Sequence, residues 1–238
     1  MANRPPPIAL DPAETALLVV DMQNDFVRAG APQEVPAARE TLPRIARLLQ
    51  AFRASSAPVI YTKFITGPEE TFMWRYSPEC APPLRSCWPG VTRTYEDADG
   101  ELEGPAIVEE LSPRGEDPIV EKYGYDAFHH SNLDDVLHAR HVNHVVVVGT
   151  VTQICVANTA YAAFHHGYHT VVVSDAVSSY DEELHRTTLR NIALKYGRVL
   201  TAAEVLTEIG GEGGSPSSGK GEGWKARSRI SATSSGGG

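Results

Sequence analysis

Asp21, Lys122 and Cys155 are the residues whose types and positions offer chemistry. Asp21 follows the apolar run Ala16 to Val20, and Lys122 closes the run Pro118 to Lys122. Cys155 follows His144 to Gly149 through the turn Gly149-Thr150-Val151-Thr152-Gln153-Ile154. In an open parallel sheet, residues at the carboxyl ends of strands face the ligand, so a carboxylate, an ammonium and a thiol should converge on one rim. A thiol attacks as thiolate, and a helix N-terminus or a nearby ammonium lowers its pKa from about 8.5. Cys155 is therefore expected to be reactive. Asp21 can take the thiol proton and hand it to a leaving amine. Backbone N–H groups of the turn can hold a tetrahedral oxyanion, where one donor contributes about 3 kcal/mol. The set suits hydrolysis of an amide-type bond. Each member alone has a plainer use: Asp21 as a turn cap beside Asp25, Lys122 as an exposed strand end, Cys155 as a small buried hydrophobe. Their coincidence at three strand ends favours chemistry.

The elements that must position them are legible in the hydrophobic pattern. To the three runs named above are added Pro58 to Phe64, Thr170 to Ser174 and Arg198 to Leu200. Nearly continuous apolar runs are the mark of strands covered on both faces. Between them Leu42, Ile45, Leu48, Leu49 and Phe52 trace one helical face, and Leu133, Val136 and Leu137 another after a Ser131/Asn132 cap. Cys155 to Phe164 reads as a helix stopped by Gly167, and Glu182 to Tyr196 as one capped by Asp181 and stopped by Gly197; Thr201 caps a last short helix. Strands alternating with helices imply an α/β three-layer sandwich: a six-stranded parallel sheet with helices on both faces. Residues 66–116, rich in Pro, Gly, Arg and aromatics, have little periodicity. So long a loop inside a compact domain suggests a lid or binding loop, where substrate specificity is expected.

Length and composition narrow the rest. The chain has 238 residues, 42% of them hydrophobic, enough for a substantial core. Its 21 basic and 30 acidic residues give a net charge of −9, with no basic block in the first 200 positions, which argues against a nucleic-acid partner. No apolar run approaches the ~20 residues that cross a bilayer, and MANRPPPIAL has no signal-type core. Three cysteines make poor disulfide arithmetic and fit a reducing compartment. The protein is thus expected to be cytoplasmic, with no membrane partner. Domain limits are read as 1–209 for the folded unit and 210–238 for a flexible Gly/Ser-rich tail, which holds ten of the twenty glycines.

The segments LLVVDMQNDF, VEKYGYDAF and VVVVGTVTQICVANTAYAAFHHGYHTVVVSDA resemble the isochorismatase-like cysteine hydrolases, over roughly Thr15 to Ile209. The resemblance implies an Asp-Lys-Cys triad on Asp21, Lys122 and Cys155. It also implies a cis peptide at Thr150-Val151 and an oxyanion hole from the N–H groups of Val151 and Cys155. Isochorismatases proper cleave a vinyl ether and generally do without the cysteine, so Cys155 points to the amidohydrolase branch, acting on small amides, carbamoyl compounds or ureides. Nicotinamidases of the family carry a metal-binding Asp-x-His after the second strand; here Lys63-Phe64-Ile65-Thr66 stands there, so no catalytic metal and no cofactor is expected. Members commonly assemble, so a homo-oligomer is expected.

Several further residues are weighed. Gln23 or Tyr125 can hydrogen-bond an amide substrate, and Phe26 and Phe128 can pack against it. Trp74, with Tyr76 and Trp88, can wall a pocket in which Arg75, Arg85 or Arg93 receives a carboxylate. The nine histidines, including His129-His130, His138, His141, His144 and His165-His166, show no acidic partner at a recognisable spacing and read as solvated helix ends. Cys80 and Cys87 have a poor zinc spacing, and Asp175 reads as a turn cap. Two other functions stay open: vinyl ether hydrolysis, and a redox-responsive or interaction protein whose low-pKa thiol is oxidised.

Overall fold

The computed structural model describes residues 8–210. Residues 211–238, most of the segment read as a tail, lie outside the described residues. Six parallel strands form one sheet: β1 (Thr15–Val20), β2 (Val59–Phe64), β5 (Ile119–Lys122), β6 (His144–Thr150), β7 (His169–Ser178) and β8 (Gly197–Leu200). Their spatial order is β5-β2-β1-β6-β7-β8. The chain therefore builds outward from β1 to one edge, returns to the middle, and builds outward again from β6. The reversal puts a topological switch point between β1 and β6, the place at which open parallel sheets take ligands beyond the carboxyl ends of their strands. Asp21 and the turn before Cys155 flank that point.

Alternation along the strands separates two cores. Leu17 and Val19 of β1, with Val146, Val148, Val171 and Val173, face α2 (Pro36–Ala54) and α6 (Ala202–Ile209), which contribute Ile45, Leu48, Leu49, Phe52, Val205 and Ile209. Ala16, Leu18 and Val20 face the other way with Val145, Val147 and Val172. There they meet Leu133 and Leu137 of α3 (Leu133–His138), Ala160 and Ala163 of α4 (Ala157–His165), and Ile192 of α5 (Glu182–Lys195). The three-layer arrangement expected from the apolar runs is present. The central strands β1 and β6 are buried at every position, whereas edge strand β5 alternates exposed and buried residues, with Ile119 on the open side.

Caps fix the helix starts. Asp181 Oδ1 accepts the N–H of Leu184 at 2.8 Å, and Thr201 with Glu204 forms a capping box. Before α3 it is Ser131 rather than Asn132 that acts, its Oγ accepting the Leu133 N–H at 3.1 Å. Asp175 lies within β7, longer than expected, and caps α6 by accepting the Ala202 N–H at 2.7 Å.

Two histidine expectations are corrected. His144 is 4% exposed, with neither ring nitrogen hydrogen-bonded, and its ring lies 4.9 Å from that of His169; burial and then His169 lower its pKa. Asp134 does supply an acidic partner, 3.4 Å from His138 Nδ1 and 3.3 Å from His166 Nδ1. Asp134 and His138 are an i,i+4 pair on α3, a spacing the sequence does show, whereas His166 is brought to Asp134 by packing from the end of α4.

One glycine is required at the switch point. Gly149 has φ +114°, and a Cβ there would stand 2.1 Å from the Val20 carbonyl oxygen. The end of β6 thus approaches β1 more closely than any side chain allows. Gly149→Ala combines a forbidden backbone region with a backbone clash, and a loss of at least about 3 kcal/mol is expected. Urea unfolding checks this; an unchanged midpoint would contradict the close approach.

Candidate active site

Three strand ends deliver three side chains. Asp21 follows β1 with φ +50°, a left-handed conformation that Asp tolerates better than most residues. Its carboxylate is held from β2: Thr62 Oγ1 donates to Oδ1 at 2.6 Å and itself accepts the Asp21 N–H at 3.2 Å. Lys122, at the end of edge strand β5, reaches inward over β2, its Nζ 4.7 Å from the centre of the Phe64 ring. Nζ stands 2.8 Å from Asp21 Oδ2 and donates to Cys155 Sγ at 3.3 Å. It also donates to the carbonyls of Gly124 (2.8 Å) and Tyr125 (3.3 Å). Asp21 and Lys122 are fully buried and Cys155 is 3% exposed.

The nucleophile turn is wound wide. Thr152–Val156 is a π-helical turn leading into α4, and the peptide Thr150–Val151 is cis. The expected helix from Cys155 thus begins earlier and in a different register. The Val151 carbonyl accepts the N–H of Ile154 at 3.0 Å and of Val156 at 3.1 Å. Thr152 Oγ1 donates to the Ser178 carbonyl at 3.0 Å and lies 2.9 Å from His185 Nδ1, which ties the turn to β7 and α5.

Electrostatics correct the expected thiolate. Burial pushes the Cys155 thiol up to about 12; Lys122 pulls it down, but Asp21 pushes it up again. Burial also works against the Lys122 ammonium, yet the Asp21 carboxylate and Cys155 together raise it above its ordinary value. At neutral pH the resting site therefore holds a neutral thiol beside an ammonium–carboxylate pair. Asp21 Oδ2 is near Lys122 but receives no well-aligned hydrogen bond, which leaves it a lone pair for a further proton. Alkylation of resting Cys155 by iodoacetamide should accordingly rise about tenfold per pH unit from pH 7 to 10. A plateau near pH 8 to 9 would contradict a raised thiol.

The expected substrate-binding residues do not all gather here. Tyr125 does: its ring lies 6.0 Å from Phe64, and its hydroxyl is 2.8 Å from Ser77 Oγ. Phe26 packs on Phe64 from the α2 side at 6.2 Å. Gln23 is fully committed elsewhere. Its amide donates to the carbonyls of Phe64 and Pro105 and accepts the Phe64 N–H at 2.7 Å, so it joins β2 to the long segment instead of reading a substrate. Phe128 is also displaced: it stacks on His166 at 4.6 Å in the second core. Trp74 stacks on Trp88 at 5.4 Å and donates to the Thr66 carbonyl at 2.8 Å. It borders a cavity of about 620 Å³ with Glu70, Phe72 and Arg75.

Residues 66–116 are not structureless. They hold 3₁₀ turns at Phe72–Arg75, Pro78–Cys80 and Glu109–Leu111, and a hairpin of β3 (Thr92–Arg93) and β4 (Leu102–Glu103). Asp25 pins the segment down. Fully buried at the start of α1 (Asn24–Val27), it accepts from Tyr95 Oη (2.7 Å) and the Cys87 N–H (2.7 Å), and lies 2.8 Å from Arg93 Nε. Arg93 is thus occupied, and Asp25 is a structural carboxylate. Cys80 and Cys87 are free and buried in the first core. Among the described residues no group of three or more His, Cys, Asp or Glu side chains is disposed to hold a metal ion, and no helix is long and apolar enough to cross a membrane.

A doubly wound parallel sheet carries a buried carboxylate and thiol at its switch point, with a buried ammonium reaching them from the edge strand. A sequence profile of the Isochorismatase domain matches residues 15–204. The ureidoacrylate amidohydrolase RutB of Rhizobium rhizogenes (strain K84) is 33% identical over 217 residues, 87% of each chain. Among solved structures, a cysteine hydrolase from Pseudomonas syringae pv. phaseolicola 1448A superposes with TM-score 0.79 at 29% identity, covering 89% of this chain and 99% of that one. N-carbamoylsarcosine amidase from Thermoplasma acidophilum gives 0.63 at 27% identity, covering 79% and 96%. The chain belongs to the isochorismatase-like hydrolase family. By these likenesses it is a hydrolase of amide-type carbon–nitrogen bonds.

Proposed function

We propose that the chain cleaves the carbamoyl C–N bond of a small ureide through a thioester on Cys155. The observation that carries this reading is the placement of Lys122 Nζ 2.8 Å from Asp21 Oδ2 and 3.3 Å from Cys155 Sγ, sealed from water. Because the resting thiol is neutral, its proton passes to Asp21 Oδ2 as the sulfur–carbon bond forms, and no free thiolate accumulates. The carbonyl π electrons move to oxygen. In the π turn the Val151 carbonyl accepts the N–H of Val156, five residues on, and we take the N–H groups of Cys155 and Val151 to receive that oxyanion.

Collapse of the tetrahedral adduct breaks the C–N bond, and the amine leaves with the proton from Asp21. An S-carbamoyl thioester remains. Water then attacks it, giving its proton to Asp21, and carbamate departs as the sulfur is reprotonated. Lys122 stays charged throughout, offsetting the negative charge that moves between Asp21 and sulfur. We take Tyr125, and Phe26 through its packing on Phe64, as the side chains that meet the substrate, with Trp74 acting indirectly through its stacking on Trp88.

The ureide class rests on two likenesses, to an amidohydrolase named for ureidoacrylate and an amidase named for N-carbamoylsarcosine. We take the reaction to be metal-independent and cytoplasmic, the latter in keeping with three unpaired cysteines. We also take the protein to act as a homo-oligomer, since Phe164, Leu184 and Leu194 leave apolar surface exposed on α4 and α5. A panel of N-carbamoyl acids, primary amides and isochorismate, assayed for ammonia, carbon dioxide and substrate loss, tests the substrate class. Carbamoyl compounds are expected to be consumed with release of both gases; turnover confined to primary amides or to the vinyl ether would overturn it.

A further inference from the structure

The reacting groups are enclosed, so substrate needs a way in. Asp21 and Lys122 expose nothing and Cys155 almost nothing. Tyr125 and Ile154 are the partly buried side chains that pack against both cores, which puts them across the end of the sheet where the two meet. Tyr125 has a fixed backbone, because its carbonyl and that of Gly124 accept from Lys122 Nζ. Its side chain is held at the tip by a contact 48 residues away in sequence, Tyr125 Oη to Ser77 Oγ at 2.8 Å. Both Cys155 and Lys122 lie close enough to perturb the phenol electrostatically. Ser77 joins the 3₁₀ turns Phe72–Arg75 and Pro78–Cys80. The first of these borders the cavity of about 620 Å³, so this stretch has free space beside it.

We propose that the Ser77–Tyr125 hydrogen bond is a latch over Cys155: substrate reaches the sulfur when it opens, which makes Ser77 a positioning residue for access. The latch rests on the reading of Cys155 as the nucleophile only for its purpose, since opening is measurable without turnover. A side-chain hydrogen bond contributes about 1 kcal/mol, and its loss raises the open population about fivefold. Ring packing on Phe64 survives in Tyr125→Phe, so that variant removes the bond and not the cover.

The test is the rate of Cys155 modification at pH 8, followed by intact mass on the full chain, with methyl methanethiosulfonate as a small reagent and N-ethylmaleimide as a bulky one. Ser77→Ala and Tyr125→Phe should each accelerate N-ethylmaleimide about fivefold and the small reagent less. The double variant should match either single one, and Ser77→Thr, which keeps a hydroxyl, should behave as the parent. Unchanged rates, additive effects, or equal acceleration of both reagents, as altered sulfur chemistry would give, each overturn the latch. Failure of Cys155 as nucleophile would instead appear as turnover by Cys155→Ala, with these rates unaffected.

Discussion

Lys122→Met is expected to destabilise the fold by about 3–5 kcal/mol and to reduce kcat/KM about a thousandfold or more. The ammonium is fully buried, 2.8 Å from a carboxylate that is itself fully buried. Removing it leaves Asp21 as an uncompensated charge, with the neutral Thr62 hydroxyl and Cys155 thiol beside it. Proton transfer from the thiol then lacks the cation that offsets the charge moving between Asp21 and sulfur. The companion experiment separates stability from chemistry. Asp21→Asn combined with Lys122→Met removes both charges and should recover part of the lost stability, since no buried charge is left unpaired, although the Gly124 and Tyr125 carbonyls still lose their Lys122 donor. It should recover no activity. Denaturant unfolding and kcat/KM on the same preparations check both; a single Lys122→Met variant that unfolds like the parent would show that the pair is not a buried charge pair in solution.

The second large effect is at sulfur. Cys155→Ala should lower kcat/KM by about 10⁴- to 10⁶-fold, as loss of a covalent nucleophile does elsewhere. Stability should change little by comparison, since a neutral thiol leaves no charge behind and Lys122 keeps its bonds to Gly124, Tyr125 and the Asp21 carboxylate. Cys155→Ser should be nearly as inactive. Vinyl ether hydrolysis on this scaffold predicts the reverse, an active Cys155→Ala. The redox-responsive alternative predicts rapid oxidation of Cys155 without turnover of any amide, from a sulfur that is 3% exposed.

The positions of Asp21 and Cys155 were readable because central parallel strands covered on both faces write themselves as nearly unbroken apolar runs, after which the chain must turn at one rim; Lys122 ends the short edge strand β5, whose alternating burial makes a weaker signal. Those residues are local signals. What the site does with them depends on distant ones. The direction of the Cys155 shift is set by how completely the pocket is sealed, and sealing involves Tyr125, held by Ser77 from a segment with no hydrophobic period. Gln23 and Tyr125 look equally suited to an amide ligand in the sequence. Only the arrangement of Phe64 and Pro105 around Gln23 assigns one of them to the backbone. Asp25 and Asp21, four residues apart, differ for the same reason: Arg93, Tyr95 and Cys87 return to the first, while Lys122 and Cys155 meet at the second. The segment 66–116 hid its turns because 3₁₀ pieces and two-residue strands are too short to establish a period.

Rapid acid quench of the enzyme during turnover of a carbamoyl substrate, followed by intact and peptide mass analysis, addresses the covalent step itself. One carbamoyl group is expected on the peptide that carries Cys155, appearing before free product and decaying as substrate is exhausted. Turnover of that substrate with Cys155 unmodified at every time point, and undiminished in Cys155→Ala, would contradict covalent catalysis at this sulfur.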